Sequence, residues 1–289
     1  MDSIVDYKER GNFGNNKYRG NCSGKLILDL NKVFKFNSIS DYMRGSNTVG
    51  DAAKFLKIKS NTYDLNMGYD LIDEEIKELN EFIFFHPPYW DIIKYSGFQY
   101  GNEPLKNDLS NIKDYKEFIR VLNYCIEKQY SSLKVGGRMA ILMADIKKHY
   151  KLYSMLLDMK KIGTIEQIVI KKQNNIMSEN KKYFNENFIR ITHEYVLILR
   201  KDYPYLYNYK IVVDESEDIR DKKDVTWKDL VASVLAKLGG KANLCDIYRE
   251  VYGHKKTLTN KNWQAKIRQT LQIYNIFSSF NKGIWELAA

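Results

Sequence analysis

Residues 82–90 read Phe-Ile-Phe-Phe-His-Pro-Pro-Tyr-Trp. The apolar run Phe82 to Phe85 suits a strand covered on both faces. Pro87 and Pro88 then fix φ and remove two backbone donors, so the carbonyls at this point are not drawn into a neighbouring ladder. Tyr89 and Trp90 add ring faces where the chain leaves the strand. A corner of this kind can hold a flat heterocycle and accept hydrogen bonds from its exocyclic amino group. An ordinary strand end with a stiff turn would have the same composition, so the elements upstream decide between the two.

Upstream, residues 38–53 read Ser-Ile-Ser-Asp-Tyr-Met-Arg-Gly-Ser-Asn-Thr-Val-Gly-Asp-Ala-Ala. They predict a strand ending in Asp41, a tight turn and a helix that starts on small residues, the arrangement by which doubly wound folds receive nucleotide-like cofactors. Gly45 allows close backbone approach, while Ser46 and Thr48 can cap the helix with their hydroxyls toward a ligand. Asn61 to Leu65 reads as a second strand ending in an acid, and the Asp64 carboxylate could take both hydroxyls of a ribose. Asp70 follows in Gly68-Tyr69-Asp70-Leu71, and then the strand into His86.

In this order the segments resemble the S-adenosylmethionine-dependent DNA amino-methyltransferases, which methylate adenine N6 or cytosine N4. Their Asp/Asn/Ser-Pro-Pro-Tyr motif is matched at Pro87, Pro88 and Tyr89, with His86 departing from it. Their Asp-Pro-Phe/Met-x-Gly-Ser-Gly-Thr-Thr motif is matched at Asp41, Met43, Gly45, Ser46 and Thr48, with Tyr42 for proline and Asn47 for glycine. The resemblance implies an α/β, doubly wound Rossmann-like sheet. It implies S-adenosylmethionine held by Asp41, Met43, Gly45, Ser46, Thr48, Asp64 and Asp70. Residues 18–24 resemble the segment that packs near the methionine end and add Asn21 and Ser23. His86, Pro87, Pro88 and Tyr89 would be catalytic, with the flipped base stacked on Tyr89 and helped by Trp90. No metal is required. Cytosine C5 chemistry is excluded, because none of the four prolines precedes a cysteine. Adenine N6 is favoured, with cytosine N4, methylation of RNA or protein, and a catalytically degenerate DNA-binding regulator as alternatives. A neutral His86 can accept a hydrogen bond and a protonated one cannot, so activity is expected to fall at acidic pH.

The remaining periodicity predicts a helix over Asp114 to Lys134 closed by Gly136-Gly137, and a buried strand from Met139 to Ala144. Two further strands are expected over Ile165 to Ile170 and Tyr195 to Leu199. His193-Glu194 resembles the pair that opens the closing strand of these enzymes. The basic, amide-rich stretch 171–190 suits phosphate and base-edge contacts, through Lys171, Lys172, Asn174, Lys181 and Lys182.

Charge-dense residues 214–224 lack aromatics and read as a linker. Beyond it, three helices and two short strands suggest a winged helix and resemble HARE-type helix-turn-helix domains. Residues 226–289 carry ten Lys/Arg against four Asp/Glu, and Lys261, Gln264 and Arg268 on the third helix suit DNA contacts. The organisation expected is a methyltransferase domain (1–205), a linker (206–225) and a winged-helix domain (226–289). A net charge of +10 favours a polyanionic partner, double-stranded DNA by the resemblance. The three cysteines lack metal spacing, and no signal peptide or membrane span is read, which suits a cytoplasmic, nucleoid-associated protein. A homodimer and a cognate restriction endonuclease are compatible partners.

Overall fold

The computed structural model describes residues 1–174, 189–204, 209–210 (backbone) and 225–288. The chain divides into two compact units, Met1–Val212 and Val213–Ala289.

The first unit is built, in chain order, from β1 (Ile4–Asp6), α1 (Gly24–Phe34), β2 (Ser38–Asp41), α2 (Thr48–Leu56), β3 (Lys59–Thr62), β4 (Asn80–Phe85), α3 (Tyr115–Ser131) and β5 (Leu133–Met143). There follow the hairpin β6 (Asp145–Lys148) and β7 (Lys151–Ser154), α4 (Met155–Asp158), β8 (Lys161–Ile162), β9 (Thr164–Lys172), β10 (His193–Arg200) and β11 (Tyr209–Lys210). Seven strands form one sheet in the order β1-β9-β10-β5-β4-β2-β3. All neighbours are parallel except β10, which runs antiparallel to both β5 and β9. This mixed, mostly parallel sheet fits the Rossmann-like architecture expected from the sequence.

Strand β4 shows why its sequence is apolar without alternation. Phe82 and Phe84 pack with Leu26, Ile27 and Leu30 of α1 and Val49 and Ala52 of α2. Ile83 and Phe85 pack with Phe118, Leu122 and Ile126 of α3 on the other face. Each such side chain contributes about 1.5–3 kcal/mol relative to exposure. Helix α3 starts on Asp114, whose side chain accepts from the Glu117 N–H at 2.8 Å, and ends at Ser131, earlier than expected. The Gly136-Gly137 pair lies inside β5 rather than closing the helix. Gly136 has φ 79 and its N–H reaches the Lys201 carbonyl at 2.7 Å, so the pair bends the strand. Part of the expected linker is also paired, since Tyr209–Lys210 forms a short ladder with β8; the charge-dense 214–224 lies outside the described residues.

The second unit contains α5 (Trp227–Lys237), β12 (Lys241–Asn243), α6 (Leu244–Val251), α7 (Lys255–Thr259), α8 (Trp263–Ile273), β13 (Phe277–Asn281) and β14 (Ile284–Leu287). Thr226 and Asn243 cap α5 and α6 through their side-chain oxygens. Leu230, Val234, Ile247, Ile267 and Leu271 form its core, with the three-stranded sheet β12-β14-β13 alongside. Among the described residues no helix is long and apolar enough to cross a membrane.

Candidate active site

At the carboxyl end of β2 the buried Asp41 carboxylate accepts from the Met43 N–H at 3.0 Å. The chain then turns through Gly45 (φ 50) and Asn47 (φ 68) into α2. Asparagine tolerates this left-handed geometry better than most residues, so glycine is not needed at position 47. Strand β3 stops at Thr62, and Asp64 lies just beyond it instead of ending the strand. Its Oδ2 accepts from the Gly45 N–H at 2.8 Å and its Oδ1 from the Asn66 N–H at 3.0 Å, tying two turns together. Ser46 and Thr48 do not cap α2; their hydroxyls bond each other at 2.9 Å, and Asn47 takes the cap position. Gly14 crosses directly above them, where a Cβ would lie 2.6 Å from both oxygens. Asp70 accepts from its own turn at the Ile72 N–H (2.8 Å) and from Asn107 Nδ2 (2.8 Å).

These turns form one wall of a cleft of about 800 Å³ that opens to solvent. Asn21, Asp41, Met43, Gly45, Ser46, Thr48, Asp64, Asp70, His86 and Pro88 all line it. Three tyrosines also line it: Tyr18, which opens the 18–24 segment, and Tyr95 and Tyr100, which the sequence did not single out. Tyr18 stacks on Tyr95 with ring centres 5.8 Å apart, and Tyr100 lies 5.7 Å from Tyr95 and hydrogen-bonds Tyr18 through the two hydroxyls. The loop carrying Tyr95 and Tyr100 is folded around buried Asp108, which accepts from the Ser96 N–H at 2.8 Å and the Ser110 N–H at 2.9 Å. Tyr69 also lines the cleft, and its buried hydroxyl has no hydrogen-bond partner among the described residues. A buried orphan hydroxyl calls for a polar ligand, and two buried carboxylates suit one that carries positive charge.

The corner that follows β4 is a chain of hydrogen bonds. His86 Nε2 lies 3.0 Å from the Tyr89 hydroxyl, which donates to Glu194 Oε1 at 2.8 Å. Glu194 Oε2 accepts from Lys171 Nζ at 2.5 Å, and both residues are buried. Burial pushes the Glu194 carboxyl up, but Lys171 and the hydrogen bonds from Lys171 and Tyr89 hold it below its ordinary value, so it is ionised. Burial and the nearby carboxylate push the Tyr89 phenol well up, so it stays protonated. Its single proton goes to Glu194, so His86 Nε2 must donate and Nδ1 carries the free lone pair. Burial lowers the His86 pKa to about 4, and the imidazole is neutral.

Several residues lie elsewhere than the sequence suggested. Trp90 is buried, with its Nε1 donating to the Ile112 carbonyl at 3.0 Å, and offers no face to a base. Tyr89 packs against the core with its hydroxyl engaged, and neither it nor buried Pro87 lines the cleft. Ser23 caps α1 and donates to the Arg10 carbonyl, outside the cleft. Lys171 serves Glu194 rather than a phosphate. Lys172 and Asn174 both hold Asp6 of β1, at 3.3 and 2.7 Å. Lys181 and Lys182 lie outside the described residues. In the second unit Lys261 and Gln264 are exposed, and Arg268 donates to the Tyr248 hydroxyl at 2.8 Å.

Burial raises the Asp41 pKa from 3.8 to about 7, against the Met43 N–H that lowers it. The unfolded chain therefore binds fewer protons than the folded one between these values, and stability is lost as pH rises through them. Asp41→Asn is expected to be more stable than the parent at pH 8, on the order of 3 kcal/mol, and equal to it near pH 4. Thermal unfolding at the two pH values checks this, and no gain at pH 8 would show a hydrated carboxylate.

A family model described as DNA methylase, of the N6/N4 type, matches residues 80–279. The match begins at the first residue of β4, leaves β1 to β3 outside and includes residues of both units. No curated protein matches the chain. The crystal structure of TehB from Haemophilus influenzae is 12% identical over 61% of this chain and 62% of that one, with a TM-score of 0.28. The chain thus spans under two thirds of that protein, and a likeness at this level carries no argument.

Proposed function

The chain belongs to the N6/N4 DNA methylases, and on that premise we propose that it transfers a methyl group from S-adenosylmethionine to the exocyclic amino group of a base in DNA. The observation that carries this reading is His86 lining an acid-lined cleft, its ring tautomer set by Tyr89 and Glu194. Asp41, Gly45, Asp64 and Asp70 would hold the cofactor with Met43 and Asn21, and the orphan Tyr69 hydroxyl is a polar partner not foreseen from the sequence. When bound, the cofactor supplies an electrophilic methyl on a sulfonium. His86 Nδ1 accepts a hydrogen bond from the target amino group and draws its lone pair away from the ring. Pro88, rigid beside it, fixes the floor of the base pocket. The Tyr18, Tyr95 and Tyr100 rings add an aromatic wall to the cleft.

Adenine N6 is the first target and cytosine N4 the alternative. The neutral His86 and the left-handed Asn47 both favour catalysis over a degenerate DNA-binding regulator. We assign the second unit to DNA binding as a winged helix, with α8 presenting Gln264 and Lys261 exposed in the turn just before it. Its basic surplus supports this, and sequence-specific modification alongside a cognate endonuclease belongs to the same proposal. Single-molecule sequencing of DNA from cells expressing the protein is expected to show N6-methyladenine at one short sequence. N4-methylcytosine there would select the alternative. No modified base, with no S-adenosylmethionine binding by calorimetry, would leave the regulator.

A further inference from the structure

Beside β4, where β5 leaves the sheet, the chain doubles back as the hairpin β6–β7. Lys148 pairs with Lys151, so His149 and Tyr150 alone make the turn. Both are left-handed, at φ 50 and 62. That is the geometry of a type I′ turn, which Asn-Gly fills comfortably and bulky side chains do not. Tyr150 is 102% exposed and makes no hydrogen bond or ring contact with the described residues. Among the described residues nothing in the fold uses it.

The stem, by contrast, is fastened to the catalytic corner. Lys148 Nζ lies 2.6 Å from Asp91 Oδ2 and 4.3 Å over the ring of Trp90, the two residues that follow Tyr89. Tyr153 packs on Trp90 at 5.1 Å, and the Tyr195 hydroxyl donates to Asp145 at the root at 3.2 Å. The five steps from Asp145 to Tyr150 reach about 17 Å at the usual rise of a strand. The hairpin thus carries a bare aromatic ring on a rigid, lysine-rich arm anchored next to His86.

We infer that Tyr150 is a wedge that enters the base stack of duplex DNA and fills the gap left by the extruded target base. This rests on the proposed DNA methylation. An extruded base leaves a slot one ring thick, and inserted side chains stabilise duplexes opened at a step. Lys151 beside the tip suits a flanking phosphate. Strain held at an unused, exposed ring is a mark of a functional position.

The test measures methyl transfer from radiolabelled S-adenosylmethionine to whole-genome-amplified bacterial DNA, which carries no modified bases and contains every short recognition sequence. Tyr150→Gly relieves the left-handed backbone, so its thermal midpoint is expected to be unchanged or higher. Its transfer to duplex DNA is expected to fall at least tenfold, while Tyr150→Trp stays within about threefold of the parent. A Tyr150→Gly protein that transfers at the parental rate, or a loss shared by Tyr150→Trp, would overturn the wedge. A parent that transfers no methyl to this DNA would overturn the methylation reading itself, and the wedge with it.

Discussion

Glu194→Ala is expected to destabilise the protein by about 3–5 kcal/mol, the usual cost of leaving one member of a buried pair unmatched. Lys171 would keep a buried ammonium with its partner gone, and the Tyr89 hydroxyl would lose its acceptor as well. Urea unfolding reads the effect as a lower midpoint. Glu117→Ala is the matched control, because Glu117 meets Arg120 on an exposed face of α3; its loss is expected to leave the midpoint nearly unchanged. The double change Lys171→Met with Glu194→Gln removes both charges and keeps an acceptor for Tyr89. Most of the stability is expected to return. If Glu194→Ala costs no more than Glu117→Ala, the pair is hydrated and does not hold the corner.

His86→Ala is expected to lower kcat on the order of 10²–10³-fold with little change in DNA affinity, since it removes an oriented partner of the reacting group. His86→Asn, with an amide oxygen in place of Nδ1, is expected to recover much of the loss. The pH profile is the sharper readout. With its pKa lowered from 6.5 to about 4, the imidazole is neutral throughout the physiological range, so kcat stays level down to about pH 5 and falls only below it. Such a limb disappears in His86→Asn. A limb near 6.5 that His86→Asn abolishes would mean an imidazole open to water, and a limb that His86→Asn keeps would belong to another group.

The strand ending in His86 and the turn after Asp41 were legible because they are local. An apolar run, a proline pair and a glycine turn each act on the backbone within a few residues. Glu194 and Lys171 were legible as residues but not as a pair. They lie 23 positions apart, and only the β9–β10 register, which sets Glu194 opposite Lys171, brings them together. Lys171 opens a polar run and so read as a surface cation. Trp90 misled for the converse reason, because an aromatic after Pro-Pro-Tyr fits a base pocket as well as a core, and burial alone separates the two. The tyrosine cover could not be seen either. With 22 tyrosines in the chain, nothing marks Tyr18, Tyr95 and Tyr100 as neighbours.

The reversal of β10 has a consequence for how such a protein can diversify. Because it runs against β5 and β9, its first residues, not its last, lie at the sheet edge that carries His86. The connection from β9 to β10 therefore begins and ends on the side of the sheet that carries His86, with a bond from the Gln173 N–H to the Thr192 carbonyl at its base. Residues can be gained, lost or exchanged between those two points without shifting the register of any strand. The ladder thereby separates changes in that connection from the corner that holds His86.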